Sequence, residues 1–472
     1  MAPSFTVFYG AIVTPETLTG YKSLPQCLLC VGSTGNIDWV VDDVEPNSVE
    51  EILKQKGCTN FELVKLLRGQ CLIPGFIDTH THAPQFPNIG SGQQYELLDW
   101  LEKVTFPTES KFSDVDYARR VYTNSVQTTI SYGTTTCCYY GTIHLEGTKV
   151  LADIAHKAGQ RAFIGKCNMN RNSPDNYREP TSAHSINATE ALISYIRALP
   201  SHTSSAEPLV QPILTPRFAI SCTSDLLNNL GDLAKKDPSL RIQTHISENH
   251  DEIKFTKDLF PDAPHYAGVY DGFGLLKHNT ILAHGVHLED AEIELISERK
   301  AGISHCPTSN FNLTSGVAPI GKYLDRGIKV GLGTDVSGGY SPSILNAVQA
   351  ASVAAKVIAS QSSEEAKAKT QFTGRKLPVA TLFYLATLGG AEVCNLEKNV
   401  GSLEAGKAFD ALLVDARPEA GNRALWNYDL VESLDDMLER FLFCGDDRNI
   451  SRVYVQGSLI GGQEVVGGKP QH

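Results

Sequence analysis

Short apolar runs separated by turn-formers open the chain. Phe5–Val13, Leu28–Val31 and Ile37–Val41 read as strands, the last two flanking the turn Gly32-Ser33-Thr34-Gly35-Asn36. The same texture returns near the far end, in Asp410–Val414, Arg452–Val455 and Leu459-Ile460. Neither set has enough strands to bury an apolar face alone. The two ends are therefore expected to meet in one small β-sandwich, residues 1–72 with 396–472.

Between them, short apolar strands alternate with helical stretches, the signature of βα units and a parallel sheet. The strands predicted are Ile73–His82, Thr128–Cys138, Gln160–Asn168, Val210–Cys222, Arg241–His245, Thr280–His284, Gly302–His305 and Ile328–Asp335. Eight is the number that closes a TIM-like (β/α)₈ barrel, here over residues 73–395. Ser341-Pro342 offers a cap and a first-turn proline to an alanine-rich helix running to about Ser360. Ser201–Glu207 and Gln361–Lys376 read as polar, exposed loops.

Composition narrows the function classes. The 472 residues are 42% apolar and 20% charged, an ordinary globular balance with ample core material. Forty-one basic against fifty-three acidic side chains leave a net charge of −12, which opposes phosphate backbones and acidic membranes. Nucleic-acid and membrane partners are thus not expected, while small neutral or cationic substrates stay open. No apolar run is long enough to span a bilayer, and Met1-Ala2-Pro3-Ser4 does not begin an export signal, so the cytoplasm is expected. Eleven scattered cysteines fit reduced thiols better than a disulfide framework. Cys27-Leu28-Leu29-Cys30 lies in an apolar run and reads as core, as does the Cys137-Cys138 pair.

Chemistry enters at the strand ends, where a barrel of this kind carries its reactive groups. His80 and His82, two apart on a strand, face the same side with Cα atoms roughly 6–7 Å apart, within reach of one cation. The fifth predicted strand ends on His245, the sixth on His284 and the eighth on Asp335. Any one of these could be a hydrogen-bonded rim residue; five around one mouth point to a metal centre. Nitrogen ligands with an aspartate suit Zn²⁺ first and Fe²⁺ next, and such a centre lowers the pKa of water to about 7. Glu248, just past the fifth strand, stands where a proton carrier is needed, although as a loop glutamate it would mean nothing.

The runs PGFIDTHTH, THISEN, ILAHGVHL, SHCPTSN and GLGTDVSGG resemble the amidohydrolase superfamily, in its mononuclear metal-dependent aminohydrolase branch. His82-Ala83-Pro84-Gln85 and Pro216-Arg217-Phe218 are similar to the purine-contact segments of members that deaminate guanine. The resemblance spans nearly the whole chain, including Gly401–Lys407. It implies His80, His82, His245 and Asp335 as ligands of one metal ion per chain, with His284 beside it. It further implies that Glu248 protonates ring N3 of guanine during attack at C2, that Asp335 relays a proton, and that xanthine and ammonia are released. Gln85, Arg217 and Phe218, with His82 and His245, would contact the base, and a homodimer is the family's habit. His305 and Asn310 lie where the family shapes its pocket, without a definite role.

Rival readings share part of this pattern. An adenosine-type or triazine aminohydrolase would use the same metal chemistry with a different pocket. A two-metal hydrolase bridged by a modified lysine would need one near a strand end, and Lys166 falls on the third strand. The cytidine-deaminase fold needs H-x-E before P-C-x-x-C, an order absent here. A barrel without catalysis, serving as an interaction protein, would be expected to lack ligands that this chain retains.

Overall fold

The computed structural model describes residues 5–201, 207–425 and 433–466. Residues 1–4 and 202–206, and with them most of the Ser201–Glu207 loop, lie outside the described residues. Seventeen strands form two sheets among the described residues. β1 (Phe5–Thr17), β2 (Gly20–Val31), β3 (Ile37–Val41), β4 (Phe61–Lys65) and β5 (Gln70–Pro74) come from the first part of the chain. The next group is β6 (Phe76–His82), β7 (Thr134–Tyr140), β8 (Arg161–Gly165), β9 (Cys167–Asn168), β10 (Val210–Pro216), β11 (Arg241–Ile246), β12 (Thr280–His284), β13 (Gly302–His305) and β14 (Lys329–Leu332). β15 (Ala411–Asp415), β16 (Ile450–Val455) and β17 (Ser458–Gly461) complete the set.

The two ends of the chain do meet. β15 pairs antiparallel with β5, placing β17, β16 and β15 beside β5, β1, β2 and β3, with β4 pairing with β1 along the same edge as β5. β1 and β16 are separated by two strands in that order, yet Phe8 and Tyr454 bring their ring centroids to 5.5 Å. The sheet therefore curls over an apolar core of Phe8, Leu29, Leu72, Phe409 and Leu413, as a sandwich does.

The second sheet is the parallel barrel, ordered β6, β7, β8, β10, β11, β12, β13, β14, with β9 a short continuation beside β10. Ile77, Cys138, Phe163, Ile213 and Ile281 supply one apolar layer, covered by Ala391, Val393 and Leu396 from the stretch after the last barrel strand. That layer lies before the strand ends, so the opposite mouth is left for polar chemistry. No helix among the described residues is long and apolar enough to cross a membrane. All eleven cysteines are free, and Cys27, Cys30, Cys137 and Cys138 are buried.

Several expected boundaries move, each for a local reason. The predicted strand Ile73–His82 is broken at Gly75: Ile73 and Pro74 pair with Leu412 and Ala411 in the end sheet. A side chain at Gly75 would meet Thr135 at 2.1 Å, so the chain can cross between sheets only at a glycine. Thr128–Ser131 are not strand but the end of a helix, Val115–Ser131. Its buried positions 118, 122, 125, 126 and 129 follow a helical stripe, and the Asp114 side chain caps it, outweighing the β-branched run Thr128-Thr129-Ile130. β10 stops at Pro216, and Ala219–Ser221 turn before Cys222. The alanine-rich helix begins at Ile344, with Ser343 rather than Ser341 at its cap position. Within the expected Gln361–Lys376 loop, Glu364–Ala368 is a short helix. Phe372 is buried there, because Asp325 accepts the N–H groups of residues 371, 372 and 373 and pulls the segment inward.

One buried ion pair joins the two sheets. Arg161, at the start of β8, donates to both carboxylate oxygens of Asp410, at 2.9 and 3.2 Å, and to the Gln456 side chain. Arg161→Met is expected to lower stability by about 3–5 kcal/mol, because Asp410 stays buried without its partner. A fall in thermal midpoint with KM unchanged is the result to look for; an unaltered midpoint would remove the pair from the fold's support.

Candidate active site

The barrel's seam builds the site. The Asp335 N–H donates to the His80 carbonyl at 2.9 Å, and the His82 N–H to the Val336 carbonyl at 3.1 Å, tying β6 to the loop after β14. Asp78 tightens the same seam, accepting from the His80 and Thr334 N–H groups, both at 3.1 Å, and from the Thr334 hydroxyl. Asp335 lies three residues past the end of β14, at a φ of 45°, and His284 and Ser247 stand at 75° and 47°. Non-glycine residues in that region cost on the order of 1–3 kcal/mol each. Here they turn side chains inward at strand ends.

His80, His82, His245 and Asp335 each offer one ligand atom, and the four atoms lie within 4.8 Å of one another. Tetrahedral ligands about 2.0–2.2 Å from a zinc-sized ion sit about 3.3–3.6 Å apart. His80 Nε2 and His82 Nε2 are 3.1 and 3.4 Å from Asp335 Oδ1, and His82 Nε2 is 3.1 Å from His245 Nε2. Burial first, then the neighbouring imidazoles, pushes His82 and His245 well below the ordinary histidine range, so both are neutral. Two neutral ring nitrogens at that distance either share one Nε2–H or turn both lone pairs toward a cation. The His245 Nδ1–H donates to the Arg217 carbonyl, which leaves Nε2 with its lone pair turned to the cluster. The donor set therefore fits one divalent ion.

His284 stands beside this set. Its Nδ1–H donates to Asn310 Oδ1 at 2.9 Å, and Nε2 faces Glu248 Oε2 at 3.4 Å and Asp335 Oδ2 at 3.7 Å. Asn310→Leu frees that ring and is expected to lower kcat about ten-fold while metal content holds. Metal loss, or an unchanged kcat, would refute the tautomer argument. Burial acts to raise Asp335, but the charge and hydrogen bond of His80, with His284 next, outweigh it and hold the carboxylate well below its ordinary range. Glu248 goes the other way: burial, then the charge of Asp335 and Glu252, pushes it well above the usual carboxylate range. Two carboxyl groups in one cavity thus hold opposite protonation states. His305 is buried too, with burial and His284 pushing it down to about 3, and it lines a different cavity with Ile320 and Phe372.

A cavity opens over these groups. Gln85, Arg217 and Phe218 line it, as do Trp100 and Leu101 from the helical segment after β6. Phe218 meets the His245 ring edge-on at 5.7 Å. The cluster residues, His284, Glu248, Gln85, Arg217 and Phe218 are therefore brought to one mouth, whereas His305 lines a different cavity. Lys166 is not part of it; its ammonium is held by Glu179 at 2.6 Å and the Cys167 carbonyl at 2.9 Å. Sequence reasoning missed Glu109, on which Arg217, Gln85 and Tyr177 converge. A buried arginine requires an acid, which was the one available signal.

Comparison with known proteins agrees with this geometry. The profile of the amidohydrolase family matches residues 71–460. A probable guanine deaminase of Schizosaccharomyces pombe is 46% identical, over 97% of this chain and 84% of its own. The guanine deaminase of Dictyostelium discoideum is 43% identical, over 96% of this chain and 98% of its own. Among solved structures, guanine deaminase from C. acetobutylicum with guanine bound in its active site superposes with a TM-score of 0.84 at 35% identity, covering 97% of this chain and all of the other. With a matching profile over most of its length, a parallel barrel and a histidine-aspartate cluster at the barrel mouth, the chain belongs to the amidohydrolase family.

Proposed function

We infer that the protein is a guanine deaminase, converting guanine and water to xanthine and ammonia. The observation that carries this reading is one cavity that brings together a four-residue histidine-aspartate cluster, the buried Glu248 carboxyl and an arginine-amide pair. The 35%-identical enzyme with guanine bound supports the same substrate. His80, His82, His245 and Asp335 would hold one Zn²⁺, with Fe²⁺ as the second choice for such donors. A bound ion supplies Lewis acidity, bringing the ionisation of water to near neutral pH.

The chain's own groups carry the protons. Asp335, kept ionised, accepts a proton from the attacking water while His284 Nε2 orients it. Glu248, kept protonated by burial, donates to ring N3 as the water oxygen adds to C2. Its raised pKa keeps that proton available at neutral pH, and the donor is lost as pH climbs through it. Asp335 then passes its proton to the exocyclic nitrogen, the C2–N bond breaks as the remaining hydroxyl proton at C2 returns to Glu248, and ammonia leaves. Arg217 and Gln85 read the polar edge of the base, O6 accepting from the guanidinium, while Phe218 covers a ring face. Adenine, with a donor at that edge, would leave Arg217 unmatched.

A homodimer and a cytoplasmic location belong to the same reading. The family resemblance supports the first and eleven unpaired thiols the second. The deciding experiment assays metal-replete protein against guanine, adenine, cytosine, guanosine and triazines by absorbance and ammonia release. Guanine is expected to lead by at least about a hundred-fold in kcat/KM. Preference for adenosine or a triazine would move the protein to another aminohydrolase class, and no ammonia from any of them would make it a binding protein.

A further inference from the structure

Glu109 is fully buried, 27 residues after His82 in a stretch with no catalytic signature. Its two oxygens accept four hydrogen bonds: Arg217 Nη1 at 2.6 Å and the Tyr177 hydroxyl at 2.6 Å on Oε2, Arg217 Nη2 at 3.1 Å and Gln85 Nε2 at 2.8 Å on Oε1. That fills a carboxylate's acceptor capacity. Because the carboxylate only accepts, the Gln85 amide can turn only its nitrogen that way. Its oxygen is then taken by the Ser337 N–H at 3.1 Å. Gln85 keeps one N–H for an occupant of the cavity. Arg217 keeps its Nε–H, buried and without a partner, and the second hydrogen on each Nη. The Phe106 ring lies 5.4 Å from the guanidinium carbon and closes that side.

On the reading of the cavity as a guanine site, we propose that Glu109 is the positioning residue for the purine edge. It aims the free donors of Arg217 and Gln85 and cancels the arginine's charge, so that the cavity takes a neutral base over an anionic one. Donors held in advance cost no ordering when the base arrives, so the benefit falls on binding more than on chemistry. A charge-matched arginine also gives no extra hold on xanthine once its ring N–H has ionised, which favours release of product.

The test is Glu109→Gln, which keeps the shape and removes the charge. KM for guanine should rise about ten-fold with kcat within about three-fold, the size of one charge-assisted hydrogen bond. Metal content should hold, and inhibition by xanthine in alkaline buffer should tighten relative to the wild type. In an Arg217→Met background the same change should move KM less than about two-fold, because only the hold on Gln85 is left for Glu109 to lose. If Glu109→Gln does not fold, Tyr177→Phe decides, with an expected KM rise of about three-fold at constant kcat. An unchanged KM, an equal effect in both backgrounds, or unaltered xanthine inhibition overturns the proposal alone. Wild-type protein inert toward guanine overturns the guanine reading, and this role with it.

Discussion

Glu248→Gln is expected to bind metal as the wild type does and to lose about a hundred- to ten-thousand-fold in kcat. Glu248 is not among the four residues that would hold the metal, so metal content should not depend on it. Its main chain is placed by other means: Glu252 Oε2 accepts the N–H groups of Glu248 and Asn249, at 2.9 and 3.4 Å, at the start of the helix His250–Leu259. The amide keeps the size of the carboxyl but holds no transferable acid proton. Metal analysis beside an ammonia assay separates the two functions. Near-normal deamination by this variant would take Glu248 out of the chemistry.

Arg217→Ala should cost more than binding. The arginine and Glu109 are each almost wholly buried, and Glu109 outweighs the burial penalty, holding the guanidinium firmly charged. Removing one partner strands the other, a loss of about 3–5 kcal/mol. The variant is therefore expected to show a lower thermal midpoint as well as a raised KM. Glu109→Leu combined with Arg217→Met removes both charges and should recover most of the midpoint without recovering guanine affinity. If the double variant were as unstable as Arg217→Ala, the stranded carboxylate would not be the cause.

Much of the site was legible because its signals are local. The period-two spacing of His80 and His82 needs only a strand, and the barrel rule places His245, His284 and Asp335 with them. Glu109 was not legible: its partner Arg217 is 108 residues away, and Phe106-Pro107-Thr108-Glu109 looks like any surface turn. The same limit explains the elements. Thr128-Thr129-Ile130 favours a strand by propensity, and only the packed stripe from Ala118 onward makes it helix. Gly75 could not be read as a crossing point between sheets, because the close neighbour that demands a glycine, Thr135, arrives from another strand.

The seam between β6 and the loop after β14 has a consequence for how the protein is made. Two histidines of the cluster emerge early, but the aspartate that meets them comes 255 residues later. Closing a loop of that length costs about 5 kcal/mol in chain entropy, and the backbone bonds at Asp335 and Val336 do not exist until it is closed. A nascent chain therefore carries its histidines as separate weak donors through most of its synthesis. Full affinity for the ion arrives in one step, when the last barrel strand docks. Metal uptake during translation would then mark the completed barrel, and products truncated before Asp335 would be metal-poor as well as inactive.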